Sequence, residues 1–224
     1  MVENILSILY EDNHCIAVLK PHGMLAQGDQ TQEVSLFEEV KAFIKQRDKK
    51  PGGVFLGLVH RLDRPVGGIM LFAKTSKGAS RLSEAMRSHL VEKTYLAVLE
   101  GIPEKQEGII EHWLLKNQEK NKVTVVPSGM YGAKYASLQY QVLKTHADRT
   151  LVKIVPKTGR SHQIRVAMQS IECPIIGDKK YGSSFSLAGD IALFAHALSF
   201  PHPITQQKIS LKADPVLRIF HGFK

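Results

Sequence analysis

Cysteine is scarce in this chain. Only Cys15 and Cys173 occur among 224 residues, far apart and outside any C-x-x-C spacing. That excludes a disulfide framework and a cysteine-based zinc site. Long apolar runs are missing too, and none reaches the roughly 18 residues of a membrane span. The opening Met1-Val2-Glu3-Asn4 carries an early acid and no apolar stretch, so it does not read as a signal peptide. Repeats, low-complexity tracts and linkers are also lacking. A cytoplasmic protein with no membrane contact is expected.

Hydrophobic residues make up 43% of the chain, enough for a sizeable core in one large domain or two small ones. Thirty Lys and Arg against 21 Asp and Glu give a net charge of +9. Such a balance favours a polyanionic partner through phosphate contacts and counterion release.

Apolar runs at Leu6–Tyr10 and Cys15–Leu19 flank Glu11-Asp12-Asn13-His14 and predict an opening hairpin. Ser35 and Glu38 form a capping-box pattern before the helical spacing of Leu36, Phe37, Val40, Phe43 and Ile44. Val54–Val59 and Ile69–Phe72 read as strands on either side of a polar segment. Ser76 is the expected cap of a second helix, with Ala79, Leu82 and Met86 on one face. Further strands are expected at Tyr95–Leu99, Ile109–Leu115, Val123–Val126, Ala136–Leu143, Leu151–Val155, Leu193–Phe200 and Ile209–Leu211. After a turn at Thr158-Gly159-Arg160, a helix is expected over Ser161–Gln169, capped by Ser161. Many strands with few helices imply an α+β fold: one domain over residues 1–224, its mostly antiparallel mixed sheet flanked by helices and loops.

Three segments could carry chemistry. Asp63 lies in a polar loop between two apolar strands, where Arg61 and Arg64 favour its charged form; taken alone, it could be a simple turn residue. The segment Thr158–Arg165 combines a glycine turn, a helix start and the donors Arg160, His162, Gln163 and Arg165. Tyr95 opens a strand and offers either core packing or a ring on which a base can stack.

Together these segments resemble the RluA-type pseudouridine synthases. That family's H-R-L-D segment is matched by His60-Arg61-Leu62-Asp63, and its G-rich strand with A-K-T by Gly67 to Thr75. K-x-Y is matched by Lys93-Thr94-Tyr95, T-G-R-x-H-Q-I-R-V by Thr158–Val166, and G-D-x-x-Y-G by Gly177 to Gly182. The late H-A…F-x-H-P segment is matched by His196 to Pro203. Tyr10-Glu11-Asp12 and Lys20-Pro21-His22-Gly23 resemble the family's opening hairpin. Gly67 stands where the family commonly has Ser or Thr, and Ala167 where it often has His.

The resemblance implies an enzyme that isomerises uridine to pseudouridine in ribosomal or transfer RNA, with no cofactor, metal or obligate protein partner. It implies catalytic roles for Asp63, Tyr95 and Arg165, with Arg165 paired to Asp63. RNA contacts would come from His60, Arg61, Arg160, His162 and Gln163. The family's frequent S4 RNA-binding domain is not expected, since the hairpin begins almost at Met1. A catalytically silent RNA-binding protein and a carboxylate-based nucleosidase or glycosidase remain open alternatives. The latter usually needs a second acid, and none accompanies Asp63 in these motifs.

Overall fold

A computed structural model describes residues 6–49 and 51–223. Residues 1–4, read above as no leader, and Lys50 of the basic run lie outside them. The chain divides into two compact units, residues 1–92 with 196–213 and residues 93–195 with 214–224.

The first unit opens with the expected hairpin: β1 (Ile8–Glu11) pairs antiparallel with β2 (Cys15–Lys20). Asp12 makes its turn, its Oδ1 accepting from the N–H groups of His14 and Cys15 at 2.7 and 2.8 Å. The helix α1 (Leu36–Arg47) begins at Ser35, whose side chain accepts from the Glu38 N–H. Its Leu36, Val40 and Ile44 form one buried stripe.

The expected strand at Val54–Val59 shrinks to β3 (Gly57–Leu58). A Cβ added at Gly57 would lie 2.8 Å from that of Ala79, so the bare glycine backbone lets this segment pass close to the next helix. β4 (Gly67–Ala73) is buried at every position and pairs antiparallel with β2, Val18 opposite Met70. Its uninterrupted apolar run suits a strand covered on both faces.

α2 (Ser76–Arg87) is capped by Thr75 rather than Ser76: the Thr75 hydroxyl accepts from the Gly78 N–H at 3.1 Å. Either residue type can cap, and the chain enters the helix one residue earlier than expected. Leu82 and Ala85 of α2 meet Ala17, Ile69 and Leu71 of the strands in a shared core, with Ala79 and Met86 packed at its margin. Burying one such Leu or Ile is worth about 1.5–3 kcal/mol. Leu198 and Phe200 join this core.

In the second unit, β5 (Glu92–Glu100), β6 (Glu107–Asn117), β7 (Lys122–Val126), β8 (Lys134–His146) and β9 (Arg149–Pro156) are laid out as β5-β9-β8-β6-β7, with antiparallel pairings throughout. On β8, buried Ala136, Leu138 and Tyr140 alternate with exposed Tyr135, Gln139 and Gln141, apart from buried Ser137. One face is therefore largely solvated.

The expected helix at Ser161–Gln169 is α3 (Gln163–Ser170), and its cap position is His162, not Ser161. His162 takes a left-handed conformation (φ 51°) with no side-chain cap, because its ring is engaged elsewhere. Val166 packs with Leu114, Val123, Ala136 and Tyr181 in a second core. The strand β10 (Leu193–Pro201) starts in the second unit, and its residues 197–201 pair antiparallel with β11 (Lys208–Lys212) in the first. The short α4 (Arg218–His221) follows. No helix among the described residues is long and apolar enough to cross a membrane.

Candidate active site

Asp63 sits half-buried in the loop that leads into β4. The turn closes by a hydrogen bond from the Val66 N–H to the Asp63 carbonyl at 3.0 Å. Two side chains fix this loop from the protein side. The Lys20 ammonium, on a side chain that is only 1% exposed, donates to the carbonyls of Pro21, Met24 and Arg64 at 2.9, 2.6 and 3.0 Å. Those three bonds match the three donors of an ammonium. His60 accepts at Nε2 from the Leu71 N–H at 2.9 Å, which ties the start of the segment to β4.

Arg61 is exposed. Arg64 bonds to the Gly23 carbonyl and clasps Glu33 with both terminal nitrogens. One of the two flanking guanidinium groups is thus engaged by Glu33, while Arg61 faces solvent.

The second unit holds Tyr95, Arg160, His162, Gln163 and Arg165. Tyr95 lies half-buried on β5, opposite Ile154. Gln163 is a hub: its amide oxygen accepts from the Thr158 hydroxyl at 2.7 Å and the Arg160 N–H at 2.9 Å. Its amide nitrogen donates to the Ser137 carbonyl at 2.9 Å. This buried amide shapes the turn. Arg160 is exposed, and its Nε donates to the Tyr135 carbonyl.

Arg165 is 6% exposed, and it grips a residue to which the sequence analysis gave no role. Its Nε and Nη2 donate to the two carboxylate oxygens of Asp178 at 2.6 and 2.7 Å. Its guanidinium also lies 5.0 Å from the centre of the Tyr181 ring. The Tyr181 hydroxyl accepts from the Val123 N–H and bonds Nδ1 of His162 at 2.7 Å. The two motifs around Arg165 and Asp178 therefore interlock side chain by side chain. The closeness of the two motifs along the chain was the available signal; which of their residues pair is settled only by the fold.

The remaining motif residues brace the first unit. Lys74 donates to the Glu11 carboxylate and the Asp12 carbonyl, and Arg47 clasps Glu11 from the other side. Asp12 Oδ2 bonds Nε2 of His202 at 2.5 Å and accepts from the Tyr10 hydroxyl at 3.1 Å. Burial works against the Asp12 carboxylate, yet these bonds and the Cys15 and His14 N–H groups outweigh it and hold the carboxyl down to about 2.

Asp12, Cys15 and His202 bring three metal-ligating atoms within 4.8 Å of one another. His202 Nδ1 accepts from the Thr205 N–H at 2.9 Å, which leaves Nε2 to carry the proton toward Asp12. Cys15 is fully buried, and burial, then the Asp12 charge, pushes its thiol up to about 12. The donor set suits a hydrogen-bonded clasp better than a metal ligand set, since thiolate character is suppressed.

Chemically, the first unit offers a carboxylate on a braced loop with an exposed guanidinium two residues away. The second offers a ring on a strand and a rigid basic turn. Residues 14–170 match the family described as RNA pseudouridylate synthase, a span that contains Asp63, Tyr95 and Arg165. "Ribosomal large subunit pseudouridine synthase C" of Vibrio cholerae is 34% identical over 92% of this chain and 64% of its own length. The Rickettsia bellii protein of the same name is 35% identical over 85% of this chain and 61% of its own. The chain thus spans less than two thirds of the length of these relatives. The solved structure of human RNA Pseudouridylate Synthase Domain Containing 4 has the same fold, with TM-score 0.80 and 24% identity over 96% of this chain and 90% of that one.

Proposed function

We propose, given that the chain belongs to the RNA pseudouridylate synthase family, that it converts uridine in RNA to pseudouridine, with residues 1–224 as its catalytic domain. The observation that carries this reading is Asp63 itself: a half-exposed carboxylate, in the family's motif, on a loop held by the buried Lys20. The reaction breaks the N1–C1′ bond, turns the uracil and forms a C5–C1′ bond. Nothing is oxidised or added overall.

The target base must leave its stack to be reached. Arg61, exposed beside Asp63, fills or braces the space it vacates, and Tyr95 stacks against the uracil. Asp63 acts at the ribose or the base: attack at C1′, addition at C6 or removal of the 2′ proton all require the carboxylate form. Arg165 belongs to the same catalytic set, its orientation set by Asp178. Arg160 is available to RNA phosphates, while His60, His162 and Gln163 serve by shaping the segments that carry the contacts.

The relatives' name supports RNA of the large ribosomal subunit as the substrate, and a cytoplasmic location is in keeping with that reading. Asp63→Asn is nearly isosteric and should leave folding and RNA binding intact while abolishing pseudouridine formation. Carbodiimide mapping of ribosomal and transfer RNA incubated with each protein reads the outcome. Substantial conversion by pure Asp63→Asn, or free uracil from the wild type, would overturn the assignment.

A further inference from the structure

Lys93 is an unusual lysine. It is the second residue of β5, two before Tyr95, so the two side chains leave the strand on the same face. The β5–β9 ladder begins at Tyr95, so Lys93 lies beyond the part of the strand that pairs with β9. Its ammonium reaches the T-G-R turn: a Cβ built on Gly159 would lie 3.5 Å from Lys93 Nζ. The side chain is largely covered, yet no hydrogen bond or ion pair engages its ammonium among the described residues. The contrast with Lys20 is direct, since that buried ammonium has three carbonyls. Burial alone lowers the Lys93 ammonium below the usual lysine value, with no anion to offset it.

A covered cation without a counter-charge is costly to keep. The cost is offset if an anion arrives with the ligand. Everything around Lys93 suits a nucleic-acid strand: a ring on the same face at Tyr95, a turn with no side chain at Gly159, and exposed Arg160 next to it. We propose that Lys93 is a positioning residue that receives a phosphate of the RNA strand bearing the target uridine, beside the base that Tyr95 stacks. This rests on the RNA-modifying reading above. The bare Gly159 backbone lies beside the ammonium, with no side chain of its own between it and an incoming strand.

The test compares the wild type with Lys93→Met and Lys93→Arg, as full chains, using a labelled oligouridylate as probe. Affinity is measured across a salt series, and thermal unfolding is followed in parallel. Loss of one phosphate contact should flatten the slope of log K against log salt by about 0.7 in Lys93→Met, with Lys93→Arg close to wild type. On a substrate RNA, KM should rise more than kcat falls. A purely structural lysine would instead shift the unfolding midpoint and leave the salt slope alone, which would overturn the proposal.

A measurement on the wild type covers the case of a poorly folded variant. Acylation of Lys93 by an amine-reactive ester, read by mass spectrometry, should slow when oligouridylate is added. Undiminished acylation overturns the role. A wild type that neither binds RNA nor makes pseudouridine defeats the assigned activity and this role together. A wild type that does both, with an unchanged slope in Lys93→Met, defeats only Lys93.

Discussion

Arg165 holds Asp178 by two parallel hydrogen bonds of 2.6 and 2.7 Å, with 7% and 1% of the two side chains exposed. A guanidinium so placed is part of the fold as well as of any site it serves. Removing one partner of a buried pair typically costs about 3–5 kcal/mol, because the other charge is stranded. Arg165→Met should therefore lower the urea midpoint markedly. Arg165→Lys, which keeps charge but not the planar fork, should fall between it and the wild type. Turnover measured where each variant is still folded should follow the same order. A Met variant as stable as wild type would mean that the pair contributes little to folding.

Tyr95 should matter through its ring. Tyr95→Phe is expected to keep most of the RNA affinity and Tyr95→Ala to lose about 1–3 kcal/mol of it, the range seen for base stacking on aromatic side chains. Filter-binding or anisotropy titrations at fixed salt separate the two variants. Equal losses would remove the stacking role.

Gly67 explains one departure from the family pattern. A Cβ at this position would fall inside van der Waals contact with the His22 imidazole, so the ring occupies the room that Ser or Thr would need. Gly67→Ser should destabilise by about 1–3 kcal/mol, the usual range for overpacking. The double variant Gly67→Ser with His22→Ala should recover much of that loss in a denaturation cycle. Additive losses would show that the two positions are not coupled.

Stability at low pH should report the Asp12 clasp. Its folded carboxyl is depressed from 3.8 to about 2, so the stabilisation is complete above the unfolded value and disappears as pH falls through that window. Wild type should lose stability more steeply than Asp12→Asn between about pH 4 and about pH 2. Parallel curves for the two proteins would assign the acid sensitivity to other carboxylates.

The motifs made family, fold class and most strands legible, because period-2 alternation and apolar runs survive in a single sequence. The hairpin around Asp12 and the Ser35 cap were readable for the same local reason. The caps at Thr75 and His162 each lie one residue from the expected position: Thr-Ser offers two capping hydroxyls, and at His162 the left-handed backbone, not a capping side chain, starts the helix. Val54–Val59 looked like a strand by composition, but the close approach at Gly57 is a tertiary matter. The pairings Arg165 with Asp178, His162 with Tyr181 and His202 with Asp12 were out of reach. A motif states which residues are present, and the partner of a charged side chain is fixed by the fold that brings distant segments together.

The Lys20 ammonium does for the Asp63 loop what a chelated ion does in many proteins: it gathers carbonyl oxygens from separate stretches of backbone around one positive centre. Here the centre is tethered to the chain by four methylenes. It cannot be exchanged for a different ion, and no chelator can strip it out. It is also present from the moment the chain is made, so this part of the scaffold requires no loading step. The geometry of the loop that carries Asp63 is thereby decoupled from the ionic composition around it.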